Sequence, residues 1–381
     1  MEIKNNALSG FSDSKKHYEI LDGLRGVAAI LVVLFHILES FSLGNPFKQL
    51  INHGYLAVDF FFALSGFVIG YAYDDRWNKL TLKEFFKRRL IRLHPMIIFG
   101  MILGALTFYF QGSVDFPMID SIPVGRMMLF MLIGMFLIPV PISMDIRGWQ
   151  EMYPLNGPAW SLFFEYIANI LYALFIRKFS NKLLMILALI SGSLLLHFAI
   201  TSPSGNVAGG WTFNQTQLEI GFTRLLFPFF SGLLISRMVK PIQIKNAYLW
   251  SCLLIIIPLS IPRIGDQTNV WLNGLYEALV IILIFPLVIY IGASGSITNK
   301  FTAKLNRFLG NISYPLYITH YPLIYMQMAY IANHKDNLEE SQFTAILVSI
   351  GVLVGGILIA WLSFIAYDVP IRRWLTKKLS K

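Results

Sequence analysis

The chain has 381 residues, 56% hydrophobic and only 14% charged, with a mean hydropathy of +0.61. Soluble domains carry about a quarter charged residues, so a water-soluble globular class is excluded and a polytopic membrane protein is predicted. The net charge of +10 does not indicate nucleic acid, because the lysines and arginines cluster between apolar blocks, a distribution that sets membrane orientation. The single cysteine, Cys252, excludes an intrachain disulfide and a cysteine-rich metal site. No short apolar core with a small-residue cleavage motif precedes the first block, so that block reads as an uncleaved span.

In chain order, apolar blocks long enough to cross a hydrocarbon core stand near 24–41, 55–73, 95–111, 158–176, 183–200, 221–239, 247–262, 270–292, 307–333 and 343–366. A shorter block at 125–140 ends in "IPVPIS". With the N-terminus inside, "DDRWNKLTLKEFFKRRLIR" falls inside, as do "RKFSNK", "SRMVKPIQIK", "NKFTAKLNR" and "RRWLTKKLSK", provided that 125–140 does not cross. The loop near 201–220 then faces outside, and it has no lysine or arginine. The predicted fold class is therefore an all-α membrane helix bundle of about ten spans with both termini cytoplasmic. Segment 125–140 is expected to be re-entrant or interfacial, walling a cavity. The chain reads as one integral domain over 19–370, with a polar tail at 1–18 and a basic tail at 371–381.

Ionisable residues at membrane depth are costly, so each is a functional candidate. On the first span Asp22, Arg25 and His36 share one helical face, with His36 roughly 16 Å beyond Arg25. Asp22 and Arg25 either cap the helix and pair, or serve a ligand. In the second span, "VDFFFALSGFVIG" places Asp59 near the outer end, to orient a histidine or to sit at the interface. Ser65 and Gly66 there suit close helix packing better than nucleophilic attack. "RRLIRLHP" sets Arg89 and Arg92 on one face at the start of the third span. They are a topology signal or a pair of guanidinium forks for a multi-phosphate ligand. "NGPAWSLFFEY" carries Glu165, expected at the depth of His36 and able to orient it as carboxylates do in hydrolytic triads. "LGNISYPLYITHYPLIY" carries His320 between Pro315 and Pro322, which free backbone groups for a cavity. His320 is either catalytic or a hydrogen-bonded packing residue. No nucleotide-binding glycine loop, HExxH pair, cysteine pair or nucleophile elbow occurs, and no metal site is predicted.

In this order, "LDGLRGVAAILVVLFH", "VDFFFALSGF", "RRLIRLHP", "NGPAWSLFFE" and "LGNISYPLYITHYP" resemble the acyltransferase 3 family of integral membrane acyltransferases, over about 18–370. The resemblance implies O-acylation, usually O-acetylation, of bacterial surface carbohydrates or similar hydroxylated acceptors. It matches His36 to the family's intramembrane catalytic histidine, Arg25 to the arginine of its first-helix motif, and Arg89 and Arg92 to its arginine pair. Glu165 matches the acidic residue closing its tryptophan-serine-leucine block. Leu93 departs from the usual isoleucine and Ile97 from the usual aromatic residue. The chain ends soon after its last span, so a stand-alone enzyme, or one working with a separate extracytoplasmic acyl-accepting protein, is expected. The expected donor is cytoplasmic acyl-CoA, most simply acetyl-CoA, held at Arg89 and Arg92 with help from Arg25, with no permanently bound cofactor. His36 then acts as general base or acyl relay. The expected location is the inner membrane. A transporter or flippase for a lipid-linked sugar is the rival reading, since charged spans and kinked helices serve that too.

Overall fold

The computed structural model describes residues 15, 17–42, 44–334 and 342–379. The predicted tail at 1–18 lies outside the described residues apart from Lys15, His17 and Tyr18, as do the last two residues of the basic tail. Helices follow one another in the order α1 Glu19–Ser42, α2 Ala57–Tyr73, α3 Leu82–Thr107, α4 Val124–Met135, α5 Ala159–Leu174 and α6 Asn181–Thr201. They continue as α7 Gln215–Met238, α8 Ala247–Ser260, α9 Val270–Leu279, α10 Phe285–Ala293, α11 Lys300–Asn333, α12 Gln342–Ser363 and α13 Val369–Leu379. Among the described residues there is no β-strand, only two isolated bridges.

Local chemistry explains the boundaries. Thr81 and Glu84 close a reciprocal capping box at the start of α3. Ser180, Asn214 and Asn299 accept backbone N–H groups at the starts of α6, α7 and α11. Two π-helical turns, Val280–Ile284 and Phe364–Asp368, each stand two residues before a proline. A proline lacks the N–H that would continue the ladder, and a local underwound turn with i→i+5 bonds absorbs the gap.

Among the described residues, seven helices or helix runs are long and apolar enough to cross a membrane, and the protein is a multi-pass membrane protein. Residues such as Leu189, 71% exposed on α6, face outward because lipid replaces water there. Of the other predicted spans, α5 and α8 are shorter apolar helices of 16 and 14 residues. α11 runs for 34 residues and carries Pro315 and Pro322 inside it.

Contacts between helices give their directions. Gly23 lies against Asn306, Gly26 against Leu309 and His36 against His320, so α1 and α11 run parallel. Asp59 meets Arg224, Gly66 meets Phe229 and Gly70 meets Ser236, so α2 and α7 are parallel as well. α3 and α5 are antiparallel: Arg89 meets Glu165 at one end, and Gly104 meets Leu155 at the other. The chain therefore leaves α3 and enters α5 at the same end of the bundle. α4 lies in between, and its 12 residues rise about 18 Å against a hydrocarbon core of about 30 Å. Leu137, with φ of 52°, turns the chain back after it.

α1 and α11 approach unusually closely. A Cβ on Gly26 would sit 2.4 Å from the Leu309 carbonyl oxygen, so only glycine fits. This contact sets His36 against α11.

Candidate active site

At the end of the bundle where α3 finishes and α5 begins, a cavity of about 810 Å³ opens between α1, α5 and α11. Its lining includes His36 and Glu39 from α1, Trp160 from α5, Tyr317 and Tyr321 from α11, and Arg224 from α7. Loops complete it through Asp115, Trp149, Glu151 and Trp211. The expectation that 125–140 walls the cavity is corrected: the wall comes from the flanking stretches on either side of α4. α4 supports one of them, since the Leu137 carbonyl accepts a hydrogen bond from Tyr153.

His36 has a partner one helical turn away. Its Nδ1 lies 2.7 Å from Glu39 Oε2. The carboxylate accepts, so Nδ1 carries the proton and Nε2 is left as the free base. His320 stacks behind it at 5.6 Å between ring centroids and is fully buried. His320 Nδ1 donates to the Tyr317 carbonyl at 2.8 Å, and its Nε2 has no partner. His320 thus backs His36 without lining the cavity.

Glu165 does not reach His36. Its Oε1 accepts from Arg89 Nη2 at 2.8 Å and from Ser65 Oγ at 3.2 Å. The expected pairing fails because α5 descends away from the cavity after Trp160, and a buried guanidinium on α3 claims the carboxylate. Asp59 likewise neither orients a histidine nor sits at an interface. It is fully buried and holds Arg224 through both oxygens, at 2.6 and 3.2 Å. Arg224 also donates to the Gly209 and Tyr55 carbonyls, so the pair ties the 202–214 loop to the cavity wall.

The other end of the bundle is basic. Arg25 donates to Asp22 at 2.7 Å, while Arg89 is 5% exposed and bound to Glu165. Arg92 makes no hydrogen bond to the described residues and lies within electrostatic reach of Arg25, Arg89 and Arg372. Arg372, on α13, pairs with Asp368. Buried Nε atoms of Arg25, Arg89 and Arg372 lack partners. Clustered cations with unfilled donors suit a polyanionic ligand. Between the two ends, α5 presents Ser161 and Glu165 four residues apart, Ser161 bonded to Tyr317 of the cavity at 2.7 Å.

Comparison with known families places residues 18–365 on the model described as an acyltransferase domain. The chain belongs to this acyltransferase family. It is 27% identical over 376 residues to the O-acetyltransferase OatA of Staphylococcus aureus, covering 94% of this chain and 58% of OatA. It is 32% identical over 188 residues to protein 2 in the picA locus of Rhizobium radiobacter, covering 48% of this chain and 94% of that protein. The chain thus spans little more than half the length of OatA. No solved structure matches it.

In this acyltransferase, several site residues escaped sequence reasoning. Glu39 stands three residues after His36, a spacing that puts both on one helical face and was itself a usable signal. Arg372 is hidden in a tail that reads as topology. Glu151 belongs to a loop with no periodicity. That loop is built by Asp145, whose carboxylate takes the N–H groups of Arg147, Gly148 and Gln150. Arg147 is fully buried, bonded to the Pro154 carbonyl and Gln111, and stacked 3.5 Å from the Tyr325 ring. Glu151 accepts from Tyr325, and burial pushes its carboxyl up to about 7.

Proposed function

We propose that the protein transfers an acyl group, acetyl foremost, from cytoplasmic acyl-CoA to a hydroxyl of a carbohydrate or similar acceptor entering from outside. One observation carries the reading. The His36–Glu39 pair faces the cavity, while Arg25 lies roughly 16 Å down the same unbroken helix, in the arginine cluster. The positive-inside bias puts the basic end in the cytoplasm and the cavity on the far side, in the inner membrane. Arg25, Arg92 and Arg372 hold the phosphates, with Arg89 steadied by Glu165. The acyl arm rises along the polar column of α5 toward His36. Three tryptophans, Trp149, Trp160 and Trp211, offer flat apolar faces to a sugar ring.

The acceptor oxygen attacks the thioester carbonyl as His36 Nε2 takes its proton. Glu39 holds the tautomer and stabilises the imidazolium. The C–S bond breaks, and His36 returns the proton to the CoA thiolate. The O-acetyltransferase name of OatA supports the acyl and acceptor chemistry.

The test uses purified protein in nanodiscs with acetyl-CoA and oligosaccharide acceptors, reading acceptor-dependent CoA release. His36→Ala is expected to abolish release and Arg92→Ala to raise the KM for acetyl-CoA. Turnover in His36→Ala, or no turnover in the unaltered protein, sinks the reading.

A further inference from the structure

An acyl transfer needs a donor for the carbonyl oxygen as it becomes an alkoxide, and preorganised donors of this kind are worth a large share of catalysis. Of the three cavity tyrosines, Tyr55 is bonded to Glu277 and Tyr317 to Ser161. The hydroxyl of Tyr321 has no partner among the described residues. Buried tyrosine hydroxyls normally find one. Tyr321 is 8% exposed and lines the cavity, so its unfilled donor belongs to whatever enters.

Its placement fits an oxyanion. The ring meets the His36 imidazole edge-on, 4.8 Å between centroids at 84°. Its Cε1 would lie 3.1 Å from a Cβ on Gly157, so the outer half of the ring sits at the start of α5. That helix end carries the positive pole of the α5 dipole. Neighbouring Tyr325 satisfies Glu151, leaving Tyr321 uncommitted. The charged groups facing the Tyr321 phenol are Glu39 from α1 and Glu151 and Arg147 from the loop.

From this we infer that Tyr321 is a catalytic residue, donating its hydroxyl hydrogen bond to the acyl carbonyl oxygen at the positive end of α5 while His36 deprotonates the acceptor. The inference rests on the acyl-transfer reading above. The phenol keeps its proton throughout. The new bond joins acceptor oxygen to acyl carbon, the C–S bond breaks, and the acceptor proton passes through His36 to the thiolate.

The experiment measures kcat and KM of Tyr321→Phe in nanodiscs, with thermal unfolding recorded in parallel. The expected result is a kcat lower by about 10²–10³-fold, with KM for acetyl-CoA and acceptor within about twofold. A single 3-fluorotyrosine introduced at 321 keeps the packing and makes a more acidic donor, so the alkaline limb of kcat is expected to move to lower pH. The inference is overturned if the unaltered protein turns over, His36→Ala does not, and Tyr321→Phe stays within about threefold, or if the fluorinated protein keeps an unchanged pH profile. Failure of the acyl-transfer reading is distinguished by the His36 control, and the inference falls with it.

Discussion

Two carboxylates separate the roles of Glu39 and Glu165. Glu39 touches His36, and Glu165 neutralises a guanidinium that is 5% exposed. Glu39→Gln is expected to lower kcat by about 10²–10⁴-fold with little change in thermal stability. Glu165→Gln strands the Arg89 charge, and breaking such a buried pair costs about 3–5 kcal/mol. The double variant Arg89→Gln/Glu165→Gln is expected to recover much of that loss in thermal unfolding, as a coupled pair does. Additive losses would show that the two residues act independently. The sequence put His36 on one helix face with Arg25 and offered Glu165 as its partner, whereas the structure sets Glu39 against it. Helical periodicity reports face and depth, and it already put Glu39 beside His36; it is silent on which groups of other helices come within reach, such as Arg89 against Glu165.

Among the elements, α11 and the 145–158 loop form the site jointly. Pro322 cannot donate to the Ile318 carbonyl, and Asn156 Nδ2 fills that oxygen at 2.7 Å. The kinked helix and the loop before α5 are thereby locked together beside Gly157. Glu151 in this loop is raised from 4.5 to about 7 by burial. The folded state therefore keeps a proton that the unfolded chain releases. The resulting stability is fully present below about pH 4.5 and is lost as pH rises through about 7. Melting temperatures of the unaltered protein should fall across that window, and Glu151→Gln, which still accepts from Tyr325, should show a flatter profile. Equal slopes in the two proteins would contradict the assignment.

Across the whole molecule, the arginine cluster lies at one end of the bundle and the cavity at the other. In a Cys252→Ser background, Thr216→Cys beside the cavity end is expected to react with an impermeant maleimide in intact cells. Lys79→Cys at the basic end is expected to react only after permeabilisation. The reverse pattern would invert the orientation and put the arginine cluster on the outer side, against the proposed cytoplasmic donor. Apolar blocks and basic loops, read without any structure, determined the membrane class, the positions of the helices and the face shared by Arg25 and His36. These are local properties, carried by composition and by the 3.6-residue period. Only the tertiary structure decided that Glu39 rather than Glu165 holds His36 and that Asp59 belongs to Arg224. It also decided that Arg372 joins the cation cluster and that Tyr321 stands beside His36. Apart from the His36–Glu39 pair, which lies within α1 at a three-residue spacing, those facts depend on which helices lie side by side, and close packing between distant parts of the chain sets that.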